Sequence, residues 1–459
     1  MSEAEWRALL AEKEARIVQL EAIIEELRAA LGLNSLNSSI APSRDDSAAR
    51  GKRRAKAAKH ARRRKKEAQR QNRAKRSLLP PESVTSTEQH RPPACNACGE
   101  HLRARDMLSE PERVQKFELP EIRPLVHEIQ VFSGKCRCCG EITKAVRPAE
   151  ATTSKVGTRL RAFMMLLIGR FHLSRRDVVD FLGDVMQCDI SLGLLSKIET
   201  QTAATLETAY QEAVEATTNA PVRYVDETGW AHGTTPGWLW VASTALISRF
   251  LIDDRRGAEV AQQLLGPNEP GVTVSDRWVA YAHLKHRQLC WAHLDRTAQG
   301  LVERGGVSEL VGQRVLDFIH EMFSIWHRHL EGLTSRINAR GLIVALGNAM
   351  LEDIQRIPNQ PRAAQTFVKG ILKVRQHLFT FVRVEGVEPT NNRAERAIRP
   401  AVMWRRKSQA TRSERGRRFV ERMLTVVGSC RAQGRSIFEF LCDTLDPVRP
   451  SPSLLPATV

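Results

Sequence analysis

Residues 222–230 read VRYVDETGW, and one acid, Asp226, sits inside a run of β-branched and aromatic residues that otherwise reads as a strand. Two further strand-like pieces follow after short connections, GWLWVAST (237–244) and SRFLIDD (248–254). Ala258 to Leu265 then has helical spacing, and a fourth strand, Gly271 to Ser275, ends in Asp276.

The order β-β-β-α-β is the start of a ribonuclease H-like α/β fold, in which an acid inside the first strand and one at the end of the fourth lie side by side. Two neighbouring carboxylates repel one another unless divalent cations sit between them, so Asp226 and Asp276 make sense as a Mg²⁺ or Mn²⁺ site of hard oxygen ligands. Simpler readings exist for each acid alone. Asp226 can be a turn or cap residue, Glu227 beside it is a rival ligand, and Asp253 and Asp254 can be charges at a strand end.

A third carboxylate stands further along, in VEPTNNRAERAIRP (387–400), where Glu395 lies among Arg393, Arg396 and Arg399. As a plain solvated helix the stretch starts after Pro389, stops at Pro400 and pairs Glu395 with Arg399 at i,i+4. As a site, Glu395 completes a two-metal centre with ions roughly 3.5–4 Å apart, while Asn392 and the arginines hold the phosphates of a polyanion. From Asp276 to Glu395 is 395 − 276 = 119 positions, and the spacing of Val315, Phe318, Ile319, Met322 and Phe323 predicts an all-helical insertion over about 300–382 inside a catalytic domain of 221–445. Cys290-x-x-His293 offers only two ligands, so it reads as support for the site, with Trp291 packed internally. Beyond Glu395, MWRRKSQATRSERGRR (403–418), with Arg405 and Arg406, offers phosphate contacts, and FVERMLTVVGSCRAQ reads as a closing amphipathic helix.

Upstream, residues 153–220 read as helices. Val178, Val179, Phe181 and Leu182 lie on one of them and a second starts near Ser191, the pattern of a helix-turn-helix DNA-binding pair but also of plain helical domains. Before it, in 90–145, Cys95-x-x-Cys98 and Cys136-x-x-Cys139 are each followed by Gly and separated by strand-like Val114–Leu119 and Leu125–Phe132. Four thiolates at zinc-ribbon spacing make a closed structural Zn²⁺ site, although Cys138 complicates which thiol binds. From Arg50 to Arg76 there are fifteen Lys/Arg against Glu67 alone, which is +14 of the chain's net +18. Residues 32–80 therefore read as a basic flexible linker suited to nucleic-acid phosphate. Over 1–31 the positions Trp6, Leu10, Lys13, Ile17, Leu20, Ile24, Leu27 and Leu31 alternate by four and three, a heptad seam that predicts a homo-oligomeric coiled coil.

At 459 residues the chain has material for several domains. Its longest apolar run, AFMMLLI (162–168), is too short to span a bilayer, and no secretory signal opens the chain. Nine cysteines, four of them in two C-x-x-C pairs, suit metal binding in a reducing compartment, so a cytoplasmic protein without membrane contact is expected.

Taken together, YVDETGW (224–230), SDRWVAY (275–281), CWAHLDR (290–296) and PTNNRAERAIRP (389–400), with LLPPE (78–82) upstream, resemble the transposases of the insertion-sequence sixty-six group, of the DDE class. The resemblance covers nearly the whole chain. It implies that Asp226, Asp276 and Glu395 are the catalytic acids, that the substrates are the terminal repeats of a bacterial element and target DNA, and that companion proteins of the element take part. Two features depart from the family pattern: the basic KHARRRKKEAQRQNRAKR before LLPPE, and Arg277-Trp278 after the second acid. The expected activity is metal-dependent phosphodiester hydrolysis followed by strand transfer. The rivals are a nuclease that cuts and never joins, and a DNA-binding regulator with an inactive core.

Overall fold

A computed structural model describes residues 77–108, 110–148, 155–268, 270–408 and 410–456. The heptad seam and the basic block of 50–76 lie outside the described residues. The chain divides into two compact units, Ser47–Ile122 and the remainder.

In the first unit, single turns at Pro81–Ser83 and Ala104–Asp106 flank a bridge between Ala94 and His101. The Gln115 side-chain amide pairs with both backbone groups of Leu79, accepting at 2.8 Å and donating at 2.9 Å. The expected strands at 114–119 and 125–132, which fall across the unit boundary, do not form. Apart from the Phe132 carbonyl, which accepts from the Ala145 amide at the end of the hairpin that follows, no strand is assigned over either stretch, and Val114, Leu119, Leu125 and Val126 stay exposed.

The larger unit opens with a two-stranded hairpin, β1 (Ser133–Lys135) and β2 (Ile142–Lys144), and four helices, α1 (Thr158–Gly169), α2 (Arg175–Met186), α3 (Leu192–Thr205) and α4 (Glu207–Thr218). Helix α2 begins at a capping box, with Ser174 accepting from the Asp177 amide and Asp177 from that of Ser174. It ends at Gln187 in the left-handed region, φ 51°, and Ser191 caps α3.

The core sheet contains β3 (Val222–Gly229), β4 (Trp238–Ser243), β5 (Ser248–Asp253), β6 (Val272–Ser275) and β7 (Arg287–Leu289) in the order β5-β4-β3-β6-β7. The β3-β4-β5 meander is antiparallel, whereas β6 and β7 run parallel to β3. Helix α5 (Ala258–Leu265) crosses between β5 and β6. After β7 come α6 (Trp291–Val302), α7 (Gly306–Leu330), α8 (Arg336–Arg356), α9 (Arg362–Lys373) and the short α10 (Thr380–Arg383). The chain then returns to the sheet with α11 (Asn392–Ser408), α12 (Glu414–Ala432) and α13 (Ile437–Leu445). Among the described residues no helix is long and apolar enough to cross a membrane.

The pleat sorts the sheet residues into two cores. Val225, Trp240, Ala242 and Leu251 pack with α5, while Tyr224, Leu239, Val241, Phe250 and Ile252 join the large cluster on the opposite face. Buried Arg223 and Arg249 donate to the carbonyls of Leu265 and Leu264, placing cations at the C-terminal end of α5, where the last carbonyls and the helix dipole favour them.

Both sheet edges are covered. Along β5 the amides of Ser248, Phe250 and Ile252 donate to Ser429 Oγ, Thr425 Oγ1 and Glu421 Oε1, so three side chains four residues apart on α12 replace a neighbouring strand. At β7 the returning insertion does the same work: Thr380 Oγ1 donates to the Arg287 carbonyl and the Phe381 amide donates to Gln288 Oε1.

Burial pushes the Glu421 carboxyl up to about 7, with the Ile252 amide opposing. A raised folded-state pKa contributes stability that is complete below the unfolded value, about 4.3, and is lost as pH rises through about 7. Glu421→Gln therefore gains on the wild type, by on the order of 3 kcal/mol, between pH 4 and pH 8. Denaturant melts of both proteins across that range check this, and a pH-independent difference would refute it.

Candidate active site

Period-two alternation decides which acid of the Asp226-Glu227 pair faces which core. Asp226 shares the face of Tyr224, under α11, and Glu227 shares that of Val225, toward α5. In the parallel β3-β6 ladder Val222 lies beside Val272 and Tyr224 beside Val274. The ladder ends there, two residues short of Asp226, and Asp276 follows directly after the last residue of β6. Burial raises the Asp226 carboxyl well above the usual range, and the charges of Glu227, Asp276 and Glu395 push it further. Asp276 Oδ1 accepts from the Trp278 amide at 2.8 Å, while Ser275 Oγ and Arg287 Nη2 donate to the Asp276 carbonyl.

Glu395 reaches this face because the start of α11 is anchored. Asn391, fully buried, donates from Nδ2 to the Val225 carbonyl at 2.7 Å, and its amide donates to Cys290 Sγ at 3.1 Å. The Trp291 amide donates to the Pro389 carbonyl and the Cys290 amide to that of Ser275, so β6, α6 and α11 meet at one point. Cys290, His293 and Glu395 each offer an atom within 4.8 Å of the others, and His293 Nδ1 is 3.8 Å from Glu395 Oε1. Those two atoms and Asn391 Oδ1 are buried without a hydrogen-bond partner. Burial drives the Cys290 thiol up to about 11, so it stays protonated at neutral pH and serves as an acceptor for Asn391. Burial also lowers the His293 pKa, favouring neutral imidazole. Trp291 is fully buried against Phe318 and Phe379, with Nε1 donating to the Leu378 carbonyl.

Glu227 is occupied elsewhere. Arg256 donates to its Oε1 at 2.8 and 3.1 Å, and the Tyr281 hydroxyl donates to its Oε2 at 2.5 Å. The Arg256 guanidinium lies between the rings of Trp238, at 4.2 Å, and Trp278, at 3.9 Å. Both oxygens of this rival ligand are thus held on the α5 side of the sheet. Asp253 and Asp254 pair with Arg255 and Arg417 at the end of β5.

The basic residues of α11 divide into two groups. Arg393 pairs with Glu388 at 2.9 Å and lies over the Tyr224 ring, and Arg405 donates to the Gly229 carbonyl and Thr228 Oγ1, so both fasten the helix to β3. Asn392, Arg396, Arg399 and Arg406 are exposed. The helix also runs through Pro400 instead of stopping there. Proline removes the bond to the Arg396 carbonyl, but buried Ala401 and Trp404, together with Arg405, hold the next turns against the core.

Each cysteine pair forms its own turn. Cys95 N donates to the Glu100 carbonyl and Gly99 N to that of Cys95, with Gly99 at φ 80°. Cys136, Glu141 and Gly140 repeat the pattern, with Gly140 at φ 78°, a region that favours glycine. Backbone amides of Cys98 and Ala97 lower the Cys95 thiol below its usual range, and those of Cys139 and Cys138 do the same to Cys136. Thiolate-favouring turns of this kind suit a soft-ligand metal.

Replacing Asn391 by Ala orphans the buried Val225 carbonyl and removes the tie between α11 and β3. A loss of about 1–3 kcal/mol is expected, read as a lower midpoint in urea. A midpoint equal to that of the wild type would show that the tie carries no weight.

The sequence profile of the Transposase IS66 family matches residues 153–418, more than half of the chain, including Asp226, Asp276 and Glu395 but not the cysteine turns. The uncharacterized protein y4qI of Sinorhizobium fredii (strain NBRC 101917 / NGR234) is 26% identical over 243 residues, covering 46% of this chain. The match spans 44% of that relative's own length, less than half of it. With the profile running from the first helices through β3, β6 and α11, the chain belongs to the IS66 transposase family.

Proposed function

We propose that the chain is a DNA transposase of the DDE type with a ribonuclease H-like core, in which Asp226, Asp276 and Glu395 are the catalytic acids. The observation that supports this reading best is the tie from Asn391 to the Val225 carbonyl, which holds the start of α11 against the strand of Asp226, whose carboxyl feels the charges of Asp276 and Glu395. A desolvated Asp226 carboxyl pressed by the charges of Asp276 and Glu395, with an orphaned Glu395 oxygen, fits hard divalent cations, Mg²⁺ or Mn²⁺, two per site. Bound there, such ions supply Lewis-acid charge and an activated water for in-line displacement at phosphorus.

The chain's own residues bind, orient and exclude. The three carboxylates provide the anionic cradle, and Asn391 fixes the distance between α11 and β3. Neutral His293 beside Glu395 keeps a competing positive charge out of the cradle. Exposed Asn392, Arg396, Arg399 and Arg406 meet DNA phosphates, whereas Arg393 and Arg405 position the helix that carries Glu395. No covalent protein intermediate is needed: hydrolysis at an element end leaves a 3′-hydroxyl that attacks target DNA in strand transfer. Around this core, the heptad seam pairs protomers so that two ends are held together, the two cysteine turns take structural Zn²⁺, and companion proteins of the element assist.

The test is incubation of purified protein with labelled element-end DNA and Mg²⁺ or Mn²⁺, comparing wild type with Glu395→Gln. Cut and joined products that disappear in the variant while DNA binding persists are expected. Cut products with no joined products would leave a nuclease, and binding with no product under either metal would leave a regulator.

A further inference from the structure

A second basic feature lies away from the carboxylates. Between the starts of α2, α3 and α12 and the end of α11 opens a cleft of about 670 Å³, floored by apolar side chains that include Ile168, Trp404 and Phe419. Arg175, Arg176, Lys407, Arg412 and Arg415 line it, against one acid, Glu199. Glu199 is held by Arg175 in a two-pronged pair at 2.7 Å, and with five cations against one acid the lining carries a net charge of 5 − 1 = +4. Ser174 and Ser413, which cap α2 and α12, and the first turn of α3, Leu192 and Gly193, also line it, so three helix N-termini turn their positive ends toward the same space. Arg415 additionally donates to Ser196 Oγ, tying α12 to α3 across the cleft.

We propose that this cleft grips the phosphodiester backbone of DNA at a distance from the reacting phosphate, clamping the strand between the helical segment and the catalytic core. Charge alone admits any polyanion; the position favours DNA backbone. Glu395 and Lys407 are carried on one helix, 407 − 395 = 12 residues apart. At 1.5 Å per residue that is about 18 Å. One strand of B-form DNA covers that in about five nucleotides at roughly 3.4 Å each. The cleft therefore meets the backbone about five nucleotides from the bond at the carboxylates. The spacing rests on the transposase reading above; the grip itself does not.

The binding test uses the full chain without divalent metal and a fluorescent 30-base-pair duplex of arbitrary sequence, with affinity followed against salt. Arg176→Ala/Lys407→Ala, two exposed side chains, is compared with Arg362→Ala/Lys369→Ala, an equal charge loss on α9. The expected result is a log–log salt slope shallower by about 2 for the cleft variant, about 0.9 per lost phosphate contact, with little change for the α9 variant. Matching thermal melts show that both variants are folded. An unchanged slope, or an equal fall in both, overturns the clamp. So does tight binding of inorganic pyrophosphate that the duplex cannot displace, since that marks a small-anion site. No metal-dependent cleavage by the wild type, with the shallower slope of the cleft variant still observed, would strike the catalytic reading and leave the clamp standing. A methylphosphonate walk along element-end DNA then reads the spacing: an effect about five nucleotides from the cleaved bond in wild type, absent in the cleft variant, is expected. An effect adjacent to the cleaved bond would refute the spacing.

Discussion

One side-chain hydrogen bond, from Asn391 Nδ2 to the Val225 carbonyl, spans 166 positions of sequence and sets the site. Between its partners lie most of the sheet and the whole run of helices from α6 to α10, so the bond forms only when that run has returned to the sheet. The return is enforced independently. Gln288, fully buried on β7, donates to the Leu378 carbonyl and accepts from the Phe381 amide, and Trp291 donates to the same Leu378 carbonyl. Polar groups buried this completely are costly unless satisfied, which makes the docking of the insertion close to all-or-none. The helices between β7 and α11 thus act as a buttress: they deliver residues 389–391 to the point where α11 can begin.

The pleat then separates two adjacent acids that sequence alone leaves as rivals. Their neighbours decide the matter, because Tyr224 and Val225 enter different cores. Burial and the charge of Asp276 raise Glu227 too, but Tyr281 and Arg256 oppose them on the α5 side, whereas Asp226 is raised by burial and by the charges of Glu227, Asp276 and Glu395, with only the Glu227 amide opposing. Cation and hydroxyl partners lower the cost of burying an acid, while like charge around a buried acid raises that cost. The distinction lies in the cross-strand and helix neighbours, which no local window of sequence contains.

That contrast also explains what could be read from the chain in advance. The four strands around Asp226 and Asp276 were legible because each is a compact apolar run bounded by turns, and the acids were legible as interruptions of that pattern. Strand β7 was not: Arg287 and Gln288 are polar, and they are buried only because partners from Ser275 to Phe381 satisfy them. The passage of α11 through Pro400 was hidden for the same reason, since tertiary anchors outweigh one lost helix bond. The apolar alternation at 114–119 misled in the opposite direction, offering a strand pattern with no neighbour to pair with. Local periodicity reports what a segment can bury, and only the rest of the fold determines whether it does.

The arginines around Glu395 divide by helical geometry. At 3.6 residues per turn, Asn392, Arg396, Arg399 and Arg406 fall within an arc of about 80° on one exposed face of α11, with Met403 between them. Arg393 and Arg405 lie off that stripe and are spent on Glu388, Thr228 and Gly229. Three cations on one exposed face, with Glu395 just beyond its margin, repel one another only weakly in water, by a few tenths of a kcal/mol per neighbouring pair. The stripe begins in the turn that carries Glu395 and ends beside Lys407 at the mouth of the basic cleft. One rigid helix thereby sets both the distance and the direction between the proposed reacting phosphate and the proposed clamp, and that geometric link explains why so many cations surround a single acid.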